Sequence, residues 1–251
     1  MLNIFSIVLC GQPWIERHYA QFYKLPFDWR WTIVHGIADP VADTAWCQQV
    51  DQVADDGTLA YIDELAACDG RITVIKQARW PGKTAMCNAS LATFTEPGFL
   101  FQVDADECWT TDQIRLFPAL FSMYPAADCA QFMARVWVGP TRFVCTPGEW
   151  ANRHYEWLRL WRWEPGKKFE THEPPALEGQ KAVVMKDHTA RLGLVFDHYS
   201  YVLPEQITAK EKYYGEKWSV EAWKQLQGMR GPVKLRDVLP FVDSDVMSFE
   251  L

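Results

Sequence analysis

Four short apolar runs dictate what this chain can fold into: NIFSIVL from residue 3, RWTIVHG from 30, RITVIKQ from 71 and GFLFQV from 98. Their apolar residues fall on consecutive positions rather than alternate ones, the pattern of a strand buried on both faces. Between them lie segments of helical pattern: PWIERHYAQFYKL with Pro13 suited to a first turn, Asp43 to about Ala67 with a break near DDG, and KTAMCNASLATF. Parallel strands need crossover connections, so this alternation predicts a parallel sheet covered on both faces by helices. Ligands of such sheets bind beyond the carboxyl ends of the strands.

The second half changes character. A helix is expected near residues 110–123, followed by short strand-like runs: CAQFMARVWV, RFVC, EWLRLWRW, KAVVMKD and GLVFDH. Two helices, PEQITAKEKYYGEKW and VEAWKQLQ, then lead to an irregular tail that either wraps over the body or packs against a partner. No internal repeat and no Gly/Ser or Pro-rich linker divides the chain. The expectation is one domain over 1–251: a nucleotide-binding half to about 107, an acceptor half over about 108–227 and a tail over 228–251.

Composition narrows the partners. A net charge of -7 is the wrong sign for a general nucleic-acid binder, which needs clustered Lys and Arg. The longest N-terminal apolar run, IFSIVLC, is too short to span a bilayer and has no basic segment before it, so a cytoplasmic enzyme is the default. Seven Cys are scattered, never as C-x-x-C, and read as reduced thiols rather than a zinc site or a disulfide framework. The aromatic share of 14%, with 13 Trp, exceeds ordinary usage and suits core packing, sugar surfaces or interfaces, including those of a homo-oligomer.

The fourth apolar run ends in VDADE, so three carboxylates, Asp104, Asp106 and Glu107, meet a strand terminus and repel one another unless a positive charge sits there. Asp104 and Asp106, at i and i+2, suit a hard divalent cation such as Mg²⁺ or Mn²⁺, which takes oxygen ligands and keeps waters and substrate phosphates in its shell. The alternative for a bare D-x-D is an exposed, solvated acidic loop.

VDADE, with GKTAMCNASLA upstream, resembles the nucleotide-sugar glycosyltransferases of the GT-A fold, particularly the family 2 type. RLWRWEPGKKFETHEPP (159–175) resembles the segment R-x-[FW]-R … F-x-x-x-H-E of a bacterial branch, and FDHYSYVLPEQITAKEKYY (196–214) its closing H-x-x-Y and Lys-rich helix. These matches span about residues 4 to 214 in the right order. The chain departs from the pattern where Cys87 replaces the usual Arg, and where HGIADPVAD follows the second strand in place of a Ser/Asp-rich turn. The resemblance implies an α/β GT-A fold: a Rossmann-like, mostly parallel central sheet with a mixed-sheet C-terminal half.

It also implies a metal-dependent, inverting transfer from a nucleotide-diphosphate sugar to a hydroxyl on a glycan, a lipid-linked sugar, a protein or a small molecule. Asp106 is the first choice for a metal ligand, Asp104 sits by the ribose or reaches the metal through water, and His198 supplies a further metal or diphosphate contact. Glu173 matches the position of the catalytic base, His172 orients it or the acceptor, and Glu170 is the fallback. Lys83 and Arg162, with Lys167, Lys168, Lys210 and Lys212, are candidates for a diphosphate clamp. Asp39, then Asp43, are candidates for contacting the nucleoside, and Cys10, after the first strand, is grouped with the nucleotide-binding positions. Trp137, Trp150, Trp157, Trp161 and Trp163 either stack on acceptor sugars or pack in the core, the spacing at 157, 161 and 163 suiting one face of a strand.

Two rivals differ in class. A sugar-nucleotide nucleotidyltransferase also needs strand-end carboxylates and Mg²⁺, but LCGQPWIER is a poor fit to the Gly-rich basic loop it carries. The other is a non-catalytic glycan- or partner-binding module on the same fold.

Overall fold

The computed structural model describes residues 1–51, 55–145, 150–152, 157–215, 219–239, 242 and 245–251. The first half runs β1 (Leu2–Val8), α1 (Glu16–Phe22), β2 (Trp29–Ala38), α2 (Thr58–Cys68), β3 (Ile72–Trp80), α3 (Lys83–Leu91) and β4 (Gly98–Gln102). All four strands are parallel, and their order in the sheet is β3-β2-β1-β4. The direction of winding therefore reverses between β1 and β4, and the crevice beyond their carboxyl ends is where such sheets bind ligands.

β1 shows why the apolar run is unbroken. Leu2, Ile4 and Val8 face one core with Ile15, Phe22 and Trp31, while Phe5 faces another with Leu91 and Trp161. Gly36 marks a register shift between β2 and β3, where a Cβ would lie 2.0 Å from the Gln77 carbonyl oxygen.

The chain continues through β5 (Glu107–Cys108), α4 (Thr111–Arg115), α5 (Phe117–Met123), β6 (Cys129–Gln131), β7 (Met133–Trp137), β8 (Arg142–Val144) and β9 (Leu158–Trp163). A hairpin of β10 (Phe169–His172) and β11 (Pro175–Leu177) follows, then β12 (Val183–Val184), α6 (Lys186–Arg191) and β13 (Val195–His198). The remainder is α7 (Pro204–Tyr214), α8 (Val220–Gly228), β14 (Val233–Lys234) and β15 (Met247–Glu250). Antiparallel β9 extends the first sheet from β4, and β6 and β12 complete it. A second, mixed sheet has the order β14-β15-β8-β7-β13-β5.

Several elements differ from expectation. The first helix begins at Glu16, with Pro13 in the preceding turn after a cis Gln12–Pro13 bond. The helix expected from Asp43 is only a 3-10 turn over Ala42–Thr44 before α2, with residues 52–54 outside the described set. CAQFMARVWV is two strands in different sheets, divided at Phe132. Pro118 ends α4 near Leu116, because it offers no N–H to continue that helix. The segment THEPP carries the turn of the β10–β11 hairpin, whose two short strands were not expected. The last three residues of the expected helix PEQITAKEKYYGEKW lie outside the described residues. The tail wraps: β15 joins the second sheet, Leu235, Leu239 and Val246 pack with Trp223, and buried Arg142 donates to the Met229 and Gly231 carbonyls.

Candidate active site

Strand β4 delivers the acid turn to the crevice, and the second sheet brings His198 to it. Glu107 and Cys108 form β5, which pairs antiparallel with β13 so that His198 lies opposite Glu107. The Tyr199 N–H donates to the Asp106 carbonyl at 2.8 Å, and Nε2 of His198 lies 3.4 Å from Asp106 Oδ1. Ser200 Oγ bonds the His198 ring and lies 3.4 Å from Asp106 Oδ2. Burial opposes ionisation of Asp106, but His198 beside it wins and holds the carboxyl well below the usual range.

The positive charge that the acid turn requires is supplied first by an arginine. Arg159, on β9, has a side chain only 4% exposed. It donates to Asp104 Oδ2 at 3.0 Å and reaches Glu107 Oε1 at 2.7 Å. Glu107 is wholly buried, and burial outweighs Arg159 to raise its carboxyl to about 7. Burial likewise opposes ionisation of Asp104, yet Arg159 keeps it below its ordinary range. The guanidinium also covers Trp157, whose ring meets His198 edge-on at 4.9 Å.

Arg162, expected in a diphosphate clamp, lies at the other end of β4. Strand β9 is antiparallel to β4, so Arg162 opposes Phe99 at the start of that strand, and Arg159 falls near its end. Arg162 donates to the backbone carbonyls of Ala127 and Phe121 and stacks on the Phe121 ring. Trp161 and Trp163 are core residues with no face left for a sugar, and Trp137 is buried. Half-buried Trp157 is near the acid turn.

A cavity of about 210 Å³ lies beyond β1 and β2, lined by Val8, Leu9, Ile37 and Met86 and by Lys83, Asp104, His172 and Tyr213. Lys83 opens α3 after Gly82, whose φ of 108° favours glycine and where a Cβ would meet Val41 at 2.6 Å. Its Nζ is 2.9 Å from Glu173 Oε1 and 5.3 Å from the Tyr213 ring centroid. Burial and then Lys83 lower the His172 imidazole to about 4, leaving it neutral. Asp43, expected at the nucleoside, instead accepts the backbone N–H groups of His172 and Glu173 on Oδ2 at 2.6 Å each.

Asp39 is paired with Arg79, which with Gln49 holds its carboxyl below the ordinary range. Leu9 rather than Cys10 lines the cavity, and partial burial followed by Asp56 and Asp55 pushes the Cys10 thiol up to about 11. Lys210 reaches in from α7, half-buried over Tyr201, its ammonium disfavoured by burial and favoured by Asp106. Lys168, Lys212 and Glu170 are exposed, and Lys167 pairs with Glu164 at 3.6 Å.

His18 was not evident from sequence, because its partners are backbone atoms. From α1 its buried Nε2 donates to the carbonyls of Asp104 and Ala105 at 3.2 and 3.1 Å, tying down the acid turn. Burial lowers this imidazole to about 4, so it stays neutral with its proton on Nε2.

Among the described residues no three His, Cys, Asp or Glu side chains form a ready-made ligand cage, so the expected trio of Asp104, Asp106 and His198 is not assembled. Asp104 is taken by Arg159. Asp106 and His198 remain a facing oxygen–nitrogen pair. Two ligands at right angles about 2.1 Å from a small divalent ion lie roughly 3 Å apart, near the observed 3.4 Å. The residues thus fit an ion held by two protein donors and completed by water or phosphate oxygens.

No protein-family model matches the chain, and no curated protein matches it. Among solved structures, a mannosyltransferase from Pyrobaculum calidifontis, in complex with GDP-Man and Mn²⁺, is 16% identical with a TM-score of 0.50, over 79% of this chain and 56% of that one. S. aureus TarS 1-349 is 12% identical with a TM-score of 0.45, over 64% of this chain and 46% of that one. The chain therefore spans about half the length of these structures. With a 3-2-1-4 parallel core, a second mixed sheet and an acid turn at the end of the fourth strand, the chain has the GT-A-like fold of nucleotide-sugar transferases.

Proposed function

We propose that this protein is a glycosyltransferase that moves a sugar from a nucleotide-diphosphate donor to a hydroxyl acceptor, using Mn²⁺ or Mg²⁺ and inverting the anomeric centre. The observation that carries this reading is the cavity beyond β1 and β2, lined by Asp104, Lys83 and His172, with Asp106, which faces His198, in the same acid turn as Asp104. The similar mannosyltransferase from Pyrobaculum calidifontis was solved with GDP-Man and Mn²⁺, which favours the same donor chemistry here.

In the proposed reaction the acceptor oxygen bonds to the anomeric carbon, its proton passes to Glu173, and the bond to the donor phosphate breaks with its electron pair leaving on the diphosphate. Asp106 and His198 would hold the cation, which when bound supplies Lewis-acid neutralisation of that leaving group. Lys83 and Lys210 add fixed positive charge on the cavity side. Arg159 and His18 hold the carboxylates and backbone of the acid turn, so little reorganisation accompanies donor binding.

The test is a panel of sugar nucleotides with Mn²⁺ and simple glycoside acceptors, scored for nucleoside diphosphate release and for product anomer by NMR. Turnover of one donor, abolished by EDTA and yielding the inverted anomer, is expected. Failure of every donor to bind would overturn the reading, and synthesis of a sugar nucleotide from a nucleoside triphosphate would assign the rival reaction.

A further inference from the structure

Behind the β10–β11 turn lies a relay that the proposed reaction leaves unexplained. Cys87, fully buried on α3, has its Sγ 3.5 Å from Nδ1 of His172, and Nε2 of the same ring is 3.8 Å from Glu173 Oε1. Asp43 already fixes the backbone at both residues, so the ring's orientation and tautomer depend on what its two nitrogens meet.

A neutral imidazole carries one proton, and its two nitrogens are therefore a donor and an acceptor. On the Nε2 side stands the Glu173 carboxylate, which favours an N–H there. On the Nδ1 side stands a thiol that burial keeps protonated, able to donate S–H but a weak acceptor. Both sides select the same tautomer. The 3.8 Å contact is an electrostatic one rather than a hydrogen bond, so the ring orients Glu173 beside the hydrogen bond that Lys83 makes to the same Oε1.

We infer that Cys87 is a positioning residue: its thiol donates to His172 Nδ1 and locks the ring as an Nε2–H donor facing Glu173. The inference rests on Glu173 serving the acceptor hydroxyl. Glu173 Oε1 then meets two N–H groups, Lys83 at the hydrogen-bonding distance of 2.9 Å and His172 at 3.8 Å, and the carboxylate keeps one orientation between turnovers.

The test uses the full chain labelled with ¹⁵N-histidine, the His172 signals assigned by their loss in His172→Gln. In the unsubstituted protein Nε2 should carry the proton and Nδ1 the lone pair. Cys87→Ser, which keeps a donor, should preserve that state. Cys87→Ala should mix the tautomers and lower kcat about tenfold, the effect of one hydrogen bond, with donor KM changed less than about twofold. Cys87→Val, close in volume and without a donor, gives the same readout should the alanine variant not fold. A proton on Nδ1 in the unsubstituted protein, or an unaltered tautomer in Cys87→Ala, would overturn the inference. A mixed tautomer with undiminished kcat would uphold the hold of Cys87 on the ring and refute the role of Glu173 instead.

Discussion

Arg159→Met removes the cation between Asp104 and Glu107 while keeping most of the side-chain volume. The Arg159 side chain is 4% exposed and that of Glu107 is 0% exposed, so solvent screens neither. Breaking a buried ion pair from one side costs about 3–5 kcal/mol, because a charge is left without compensation. Here Glu107 can escape part of that cost by taking a proton. Its folded value, about 7, already exceeds the unfolded value of 4.5, so the native state binds more protons between those limits and stability falls as pH rises through that window. Without Arg159 the folded value climbs further and the fall continues beyond pH 7. The variant's deficit should therefore widen by about 1.4 kcal/mol for each pH unit above 7 and shrink toward pH 5. Urea unfolding at pH 5, 7 and 8 measures this through tryptophan fluorescence, with Trp157 at 5.0 Å from the guanidinium and Trp109 bonded to Glu107. Adding Glu107→Gln to the variant should restore most of the loss. A deficit below about 1 kcal/mol at pH 8, or one indifferent to pH and to the second substitution, would show that Arg159 does not compensate the Glu107 charge.

His18 and His172 both have folded values near 4 against 6.5 unfolded, so the unfolded chain binds more protons below pH 6.5 and stability is lost as pH falls from 6.5 toward 4. In a urea series over that range, His18→Leu should have a visibly shallower acid slope than the unsubstituted protein. Arg162→Ala should lower the thermal midpoint, since three backbone carbonyls lose their donor, while nucleoside diphosphate affinity measured by calorimetry stays within about twofold. Asp43→Ala should lower kcat roughly tenfold or more by freeing the turn that carries Glu173, with donor affinity little changed in the same calorimetric assay.

The central strands were legible because a strand buried on both faces leaves an unbroken apolar run, as in NIFSIVL, and short parallel strands leave little choice of connection. Residues 129–138 were not, because a continuous apolar run also suits two strands in different sheets, and only the tertiary arrangement divides them at Phe132. The hairpin at 169–177 was hidden by the shortness of its strands, four and three residues, since Pro174 and Pro175 mark a turn without showing that its flanks pair.

In the site, Asp106 and His198 meet because β5 and β13 pair, and the two residues stand out in the sequence as strand-end groups. Choosing between Arg159 and Arg162 needed the register of β9 against β4, which no local pattern contains. His18, and the role of Asp43, escaped for a similar reason: they act on backbone groups 86 to 130 positions away, and such contacts leave no spacing to read. The inference that a metal must neutralise the acid turn was too simple, since Arg159 serves two of its three carboxylates.

The most direct measurement is calorimetric titration of the unsubstituted protein and of Asp106→Asn with UDP and with GDP, each with and without Mn²⁺. One nucleoside diphosphate should bind the unsubstituted protein at least about tenfold more tightly with Mn²⁺ than without, and Asp106→Asn should lose this gain while remaining folded. Equal binding by the two proteins, or no binding of either nucleotide in the presence of the ion, would contradict this expectation.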